Sequence, residues 1–293
     1  MPELPEVQTI VDDLNKKVKG LTITDVWTDW PKQFKRSSGG WEGFKKTVKG
    51  LKILKVWRLG KNIIFDLSGG KKILIHQKMT GHLLVGIWYL VSGIWHSKEK
   101  GLLAERVNGY IHVMFWLSNK SMLALSDLRK FAKVLVIDEK DFKNLEDVKD
   151  IGPDPLGLDF TVDKFKNLIR KKRGVIKEVL MDQNVVSGIG NIYADDILFM
   201  AKIHPLKKVE SLNDKESLAI FDATKKILKK AVKLRGTSTS DYRDTAGKKG
   251  GYGDVRLVYR REGERCPRGD GIIKRIKIGS RSAHFCPICQ KLK

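Results

Sequence analysis

Cysteine is scarce: three residues in 293, all between Cys266 and Cys289. So few, so closely grouped, exclude a disulfide framework and leave a metal site as the reading. Long hydrophobic runs are missing too. Leu83 to Trp95 spans 13 residues and is interrupted by Gly86, Ser92 and Gly93, short of the roughly 18 apolar residues a membrane-spanning helix needs. The N-terminus carries Glu3 and Glu6 where an export signal would be basic and then apolar. Acidic residues are outnumbered, 34 Asp and Glu against 57 Lys and Arg, for a net charge of +23. That imbalance points to a polyanionic partner, because Lys and Arg displace condensed counterions when they meet phosphates. A cytoplasmic nucleic-acid-binding protein with no membrane contact is expected.

What is present divides into regions. Hydrophobic residues make up 41% of the chain, enough to build real cores, and the length allows two domains plus a small appendage. Val7, Ile10, Val11, Leu14 and Val18 recur at helical spacing over residues 5–19, with Pro5 suited to a first turn and Gly20 to a stop. From Leu21 to Ile137 the texture is β-prone, with runs at Asn62–Leu67, Lys72–His76, Ile111–Leu117 and Met122–Leu125 separated by turn residues. Residues 86–108 read as an extra hairpin or long loop with no functional account. Ile151 to Gly157 is a Pro/Gly boundary. Helical patterns follow around Phe165–Arg173, Ile176–Met181, Ile192–Met200 and Leu218–Leu234. From Arg235 onward, 15 Lys and Arg face 6 Asp and Glu, and all three cysteines lie in this tail.

The first chemical signal is Met1-Pro2-Glu3-Leu4-Pro5-Glu6. If Met1 is removed, Pro2 becomes a terminal secondary amine. At an α-amino pKa near 7.7–8.0, roughly 10% is unprotonated at pH 7, against well under 0.1% of an ordinary lysine. Such an amine can attack a sugar C1′ and form a Schiff base. Glu3, beside it, can shuttle protons to the opened sugar.

This opening resembles that of formamidopyrimidine-DNA glycosylases, and the likeness continues along most of the chain outside 86–108. Leu59-Gly60-Lys61 matches a strand-end lysine that assists catalysis and contacts phosphate. His76-Gln77-Lys78-Met79-Thr80-Gly81 and Asp127-Leu128-Arg129-Lys130-Phe131 match two loops that fill the gap left by a flipped base. A glycosylase must extrude its target nucleotide, so apolar and planar groups have to support the opened stack. The resemblance implies that Met79 and Phe131 wedge the stack while Arg129 hydrogen-bonds the orphaned base. Ile176-Lys177 and Ser187 to Asp195 resemble the family's helix–two-turn–helix, with Lys177 and Asn191 as phosphate donors. Thr237 to Tyr252 is similar to the loop that closes over an extruded oxidised purine. Arg281, in Gly279-Ser280-Arg281-Ser282, matches an arginine that grips phosphates beside the lesion.

The resemblance implies a multidomain α+β fold. Its parts are an N-terminal β-sandwich with an N-terminal helix (1–148), a linker (149–160), a helix–two-turn–helix domain (161–236), a lesion-capping loop (237–254) and a C-terminal zinc-finger-like hairpin (255–293), with DNA in the cleft between domains. The family finger has two Cys-x-x-Cys pairs. Here Cys266, Cys286 and Cys289 remain, but Gly269 stands where the fourth cysteine is expected. A four-coordinate zinc then needs Asp270, His284 or water, or the hairpin stands without metal. No catalytic metal is expected.

The implied activity is a bifunctional glycosylase and abasic-site lyase. It excises 8-oxoguanine and formamidopyrimidines from duplex DNA through Pro2, with Glu3 and Lys61 managing protons, as a monomer acting in base excision repair. Its rivals are an endonuclease VIII-like enzyme for oxidised pyrimidines, a non-catalytic DNA-binding protein of the same fold, and a basic RNA- or ribosome-associated protein with a zinc ribbon.

Overall fold

The structure is a computed structural model describing residues 1–238 and 241–292. The chain divides into two compact units. One is Met1–Lys149 with Leu234–Gly251, the other Asp150–Lys233 with Tyr252–Lys293. Thr239 and Ser240 of the expected capping loop, and Lys293 of the expected hairpin segment, lie outside the described residues.

The first unit begins with α1 (Leu4–Lys17), then β1 (Ile23–Thr28) and α2 (Gly40–Val48). A run of strands follows: β2 (Ile53–Leu59), β3 (Asn62–Leu67), β4 (Lys71–His76), β5 (His82–Gly86), β6 (Trp88–Val91), β7 (Ile94–Ser97), β8 (Ile111–Leu117), β9 (Met122–Ser126) and β10 (Lys133–Asp138). They form two four-stranded antiparallel sheets, ordered β1-β8-β9-β5 and β10-β4-β3-β2. Val26, Phe115 and Leu123 from one sheet share a single buried cluster with Val56, Phe65 and Ile75 from the other. This is the expected β-sandwich.

The five apolar residues read at helical spacing all enter that cluster, so α1 lies with its apolar stripe on the sandwich. Asn15 fixes its position. Its side chain bonds both the carbonyl and the amide of Val56 on the edge strand β2, occupying backbone groups an edge otherwise leaves open. The short helix α2 was not legible in the β-prone texture, because Ser37 to Gly40 reads as a breaker. It forms because Phe44 and Val48, one turn apart, bury into the same cluster. Region 86–108 does contain a hairpin, β6–β7. Its Trp88 and Trp95 pack with Leu103 and Met114 in a second cluster.

The second unit contains α3 (Val162–Arg170), α4 (Ile176–Met181), α5 (Asn191–Ala201), α6 (Asp214–Lys233) and the hairpin β11 (Lys274–Ile278) and β12 (Arg281–Phe285). α6 starts four residues before its expected beginning because Asn213 and Glu216 cap each other reciprocally. α3 ends at Arg170, short of the expected Arg173. The like charges Lys171, Lys172 and Arg173, followed by Gly174 at φ +104°, do not favour another turn.

α5 is buried almost all round and carries two carboxylates inward. Asp196 accepts the Tyr252 hydroxyl at 2.8 Å and the amides of Leu257 and Val258, each at 2.9 Å. Burial pushes its carboxyl above the ordinary range, and these donors pull the other way. Asp195 binds Lys177 and His284. Among the described residues, no helix is long and apolar enough to cross a membrane.

Candidate active site and nucleic-acid interface

The N-terminus of α1 is built as a closed polar corner. Glu3 is the N-cap and Glu6 lies three residues on, and they form a reciprocal capping box. One Glu6 oxygen accepts the Glu3 amide at 2.7 Å. The other accepts the Thr237 amide at 2.6 Å, which ties the helix start to a segment far along the chain. Gly236 makes that approach possible. It sits at φ +80°, and a Cβ there would lie 2.7 Å from Glu6 Oε1. Pro2, Glu3 and Glu6 are all buried.

Lys61 follows Gly60 in the β2–β3 turn and is only 7% exposed. Its charge acts on the N-terminal amine of Met1, as do those of Glu3, Glu6 and Asp241. Burial holds that amine below its usual 8.0. Lys61 adds to the depression and the three carboxylates oppose it. Burial and Lys61 thus shift an amine at this corner toward its uncharged form, beside the Glu3 and Glu6 carboxylates.

A second group in the same unit is exposed. Met79 and Phe131 are 46% and 50% exposed. Arg129 joins them, its Nη1 at 3.1 Å from the Met79 sulfur and its guanidinium 4.4 Å from the Phe131 ring centre. The two loops that the sequence marked separately thus bring Met79, Arg129 and Phe131 into one cluster. His76 anchors the first loop, its Nδ1 accepting the Lys78 amide at 2.9 Å. Burial, then the charges of Lys78, Lys61 and Lys133, push the imidazole down to about 3, so it stays a neutral acceptor.

In the second unit Gly190 caps α5 without a side-chain bond, and the Oδ1 of Asn191 is buried with no partner. That carboxamide stands at the positive end of a helix with acceptor capacity unspent. Arg281 lies at the start of β12, Nη1 3.5 Å from the Met181 sulfur at the end of α4. Lys177 departs from its expected role as a phosphate donor. Its side chain has no exposure, and its ammonium is committed to Asp195 at 2.5 Å and the Ser282 carbonyl at 2.6 Å. A lysine desolvated between a carboxylate and a carbonyl ties β12 to the helices and does not reach for a ligand.

The sulfurs of Cys266, Cys286 and Cys289 lie within 4.8 Å of one another. Three soft donors so grouped fit a zinc ion. His284, considered for the fourth position, is not grouped with these sulfurs; its Nδ1 and amide both bond Asp195 at 2.9 Å. Gly269 turns at φ +80° with nothing near its missing side chain. Asp270 beside it is exposed. Arg268 places Nη1 3.6 Å from the Cys289 sulfur while bonding the carbonyls of Phe199 and Met200.

The comparisons agree with these parts in order along the chain. Residues 1–134 match the formamidopyrimidine-DNA glycosylase N-terminal domain, 151–243 the H2TH domain of the same glycosylase, and 263–292 a zinc finger found in FPG and IleRS. The chain is 36% identical over 294 residues to the formamidopyrimidine-DNA glycosylase of Pelotomaculum thermopropionicum, covering all of both chains.

The chain belongs to the formamidopyrimidine-DNA glycosylase family.

It is thus a DNA glycosylase of base excision repair, and the family, fold class and enzyme class expected from the sequence are borne out. A second glycosylase of the family, from Heliobacterium modesticaldum, is 35% identical over 99% of this chain and the whole of its own length. Among solved structures, a complex of Lactococcus lactis Fpg with abasic-site DNA is similar at a TM-score of 0.85 and 31% identity, covering 99% of each chain. The same enzyme bound to DNA containing N7-benzyl-Fapy-dG matches equally, covering 99% of this chain and 100% of its own. In this glycosylase, sequence reading missed Glu6 and Asp241 as members of the corner. The Glu3–Glu6 spacing of a capping box was the available signal for the first.

Proposed function

We propose that this glycosylase removes oxidised purines, 8-oxoguanine and formamidopyrimidines, from duplex DNA through a covalent bond to Pro2. The observation that carries the reading is the buried amine corner, where desolvation and Lys61 depress an N-terminal amine beside Glu3. Removal of Met1 transfers that environment to the secondary amine of Pro2. The neutral amine attacks C1′ and the base leaves with a proton. The sugar ring opens with its O4′ protonated by Glu3, giving an iminium at Pro2. Loss of a C2′ proton expels the 3′ phosphate by β-elimination, and δ-elimination expels the 5′ phosphate. Met79, Arg129 and Phe131 fill the vacated stack, while Asn191 and Arg281 hold phosphates. Similar proteins in complex with abasic-site and Fapy-dG DNA support the substrate class.

The cysteine cluster, matched by a zinc-finger model, supports a structural zinc held by Cys266, Cys286 and Cys289. Water or Asp270 completes the set, and Arg268 offsets the thiolate charge. Protein purified without chelator should carry close to one zinc per chain, and fewer than about 0.2 would sink this assignment. The domain boundaries expected from the sequence, action as a monomer and a cytoplasmic location complete the reading.

The direct test is borohydride trapping on a duplex with 8-oxoguanine opposite cytosine, followed by mass mapping of the cross-link. An adduct on Pro2 is expected, with base removal crippled in Pro2→Gly. Preferential trapping on thymine glycol would move the enzyme to the oxidised-pyrimidine class. No adduct there or on an abasic duplex would leave a DNA-binding protein without the chemistry.

A further inference from the structure

The chemistry proposed above makes no use of Asp127, a carboxylate with no exposure at all beneath the Met79, Arg129 and Phe131 cluster. One of its oxygens accepts the Thr80 hydroxyl from the neighbouring loop and, at 3.3 Å, the Arg129 amide. The other accepts the amides of Phe131 at 2.8 Å and Ala132 at 2.7 Å. Thr80 Oγ1 also accepts the Arg129 amide at 3.2 Å. The loops close further at Gly81, where a Cβ would meet the Gln77 carbonyl at 2.5 Å and the Ala132 Cβ at 3.2 Å. Lys78 and Lys130, each adjacent to a cluster residue, are held at φ 53°, a conformation that non-glycine residues keep only where surroundings impose it.

We infer that Asp127, acting through Thr80, is a positioning residue that locks the two loops into one wedge, so that Met79, Arg129 and Phe131 enter the duplex as a preorganised unit. The inference rests on the function proposed above and names what shapes its strand-opening part. Four donors converge on this side chain. A carboxylate offers two acceptor oxygens and no donor, whereas an amide must turn a donor toward one of them. Ordering the loops and their exposed side chains only on binding would cost affinity, so a prebuilt support favours insertion.

Thr80→Val removes only the cross-loop hydroxyl, and Asp127→Asn converts one acceptor into a donor. Arg129→Ala serves as the control for the wedge itself. The measurements are single-turnover excision of 8-oxoguanine opposite cytosine and opposite adenine, and cleavage of a single-stranded abasic oligonucleotide that has no partner strand to part. Both variants should lose about ten- to a hundredfold on the cytosine duplex while single-stranded cleavage stays within about twofold. Their preference for cytosine opposite the lesion should fall toward that of Arg129→Ala.

Equal losses on single and double strands would reveal a merely structural role and overturn the inference. Unchanged duplex rates and opposite-base preference in both variants would overturn it too. If Arg129→Ala keeps full duplex excision, the wedge reading falls and takes the inference with it. An unaltered protein inert on every substrate instead refutes the proposed function, and is told apart because no variant is needed to see it.

Discussion

Two places in the first unit contrast sharply. The amine corner hides its working groups: Glu3, Glu6 and Lys61 are each less than 10% exposed. The Met79 cluster does the reverse, holding two large apolar side chains about half exposed on a buried polar base. The difference fits the roles proposed for each. Proton handling and nucleophilic attack gain from desolvation, which depresses an amine's pKa and strengthens nearby charges. A wedge must present apolar surface to a partner that is absent until binding, so its rigidity has to come from below. Both places use one carboxylate to tie nearby backbone amides to a distant segment: Glu6 joins the Glu3 amide to that of Thr237, and Asp127 joins the Phe131 and Ala132 amides to the Thr80 hydroxyl.

The largest effect should come from breaking the corner's chemistry while keeping its shape. Glu3→Gln is expected to lower single-turnover excision about 10²- to 10⁴-fold, with DNA affinity little changed in a binding assay. Undiminished excision would remove Glu3 from proton transfer. Next comes Gly236→Ala, which forces a Cβ into Glu6 at a positive φ. A destabilisation of about 1–3 kcal/mol in urea melts should accompany slower excision, because Glu6 can no longer hold both amides. A wild-type melt would mean that the loop yields easily and that the corner is looser than the contrast requires.

The smallest effect sharpens the wedge side. His76 is held at about 3 in the folded chain, against about 6.5 unfolded. As pH falls below 6.5 the unfolded state takes up the proton and the folded state does not. Stability is therefore lost progressively from pH 6.5 toward 3, at up to about 1.4 kcal/mol per pH unit. His76→Asn keeps an acceptor for the Lys78 amide and does not titrate, so its stability should fall less steeply between about pH 6 and 5. Parallel slopes for the two proteins would show that His76 titrates normally and does not sit in a dry base.

Much of this was legible in advance. The stripe Val7, Ile10, Val11, Leu14 and Val18 gave α1, and Asn62–Leu67 and Ile111–Leu117 recur unchanged as β3 and β8, because periodicity is a local property. Met79, Arg129 and Phe131 were marked through their motifs, and the structure brings them together. Lys177 was marked in the same way, yet its environment is decided by Asp195 and the Ser282 carbonyl, and the carbonyl comes from a strand 105 residues away. His284 likewise does not join the three cysteine sulfurs in the structure, and its Nδ1 is held by Asp195.

The sequence alone pointed to the polyanionic partner, through charge, and nominated Pro2 as the nucleophile proposed above, through its place next to the first residue. It also determined the missing fourth cysteine. Only the tertiary structure decided which groups are dry and which are paired. Glu6 meets Thr237 across 231 residues, and Asp127 meets Thr80 across 47. Burial and hydrogen bonding depend on what the chain brings back from far away, and local residue patterns carry no record of that distance.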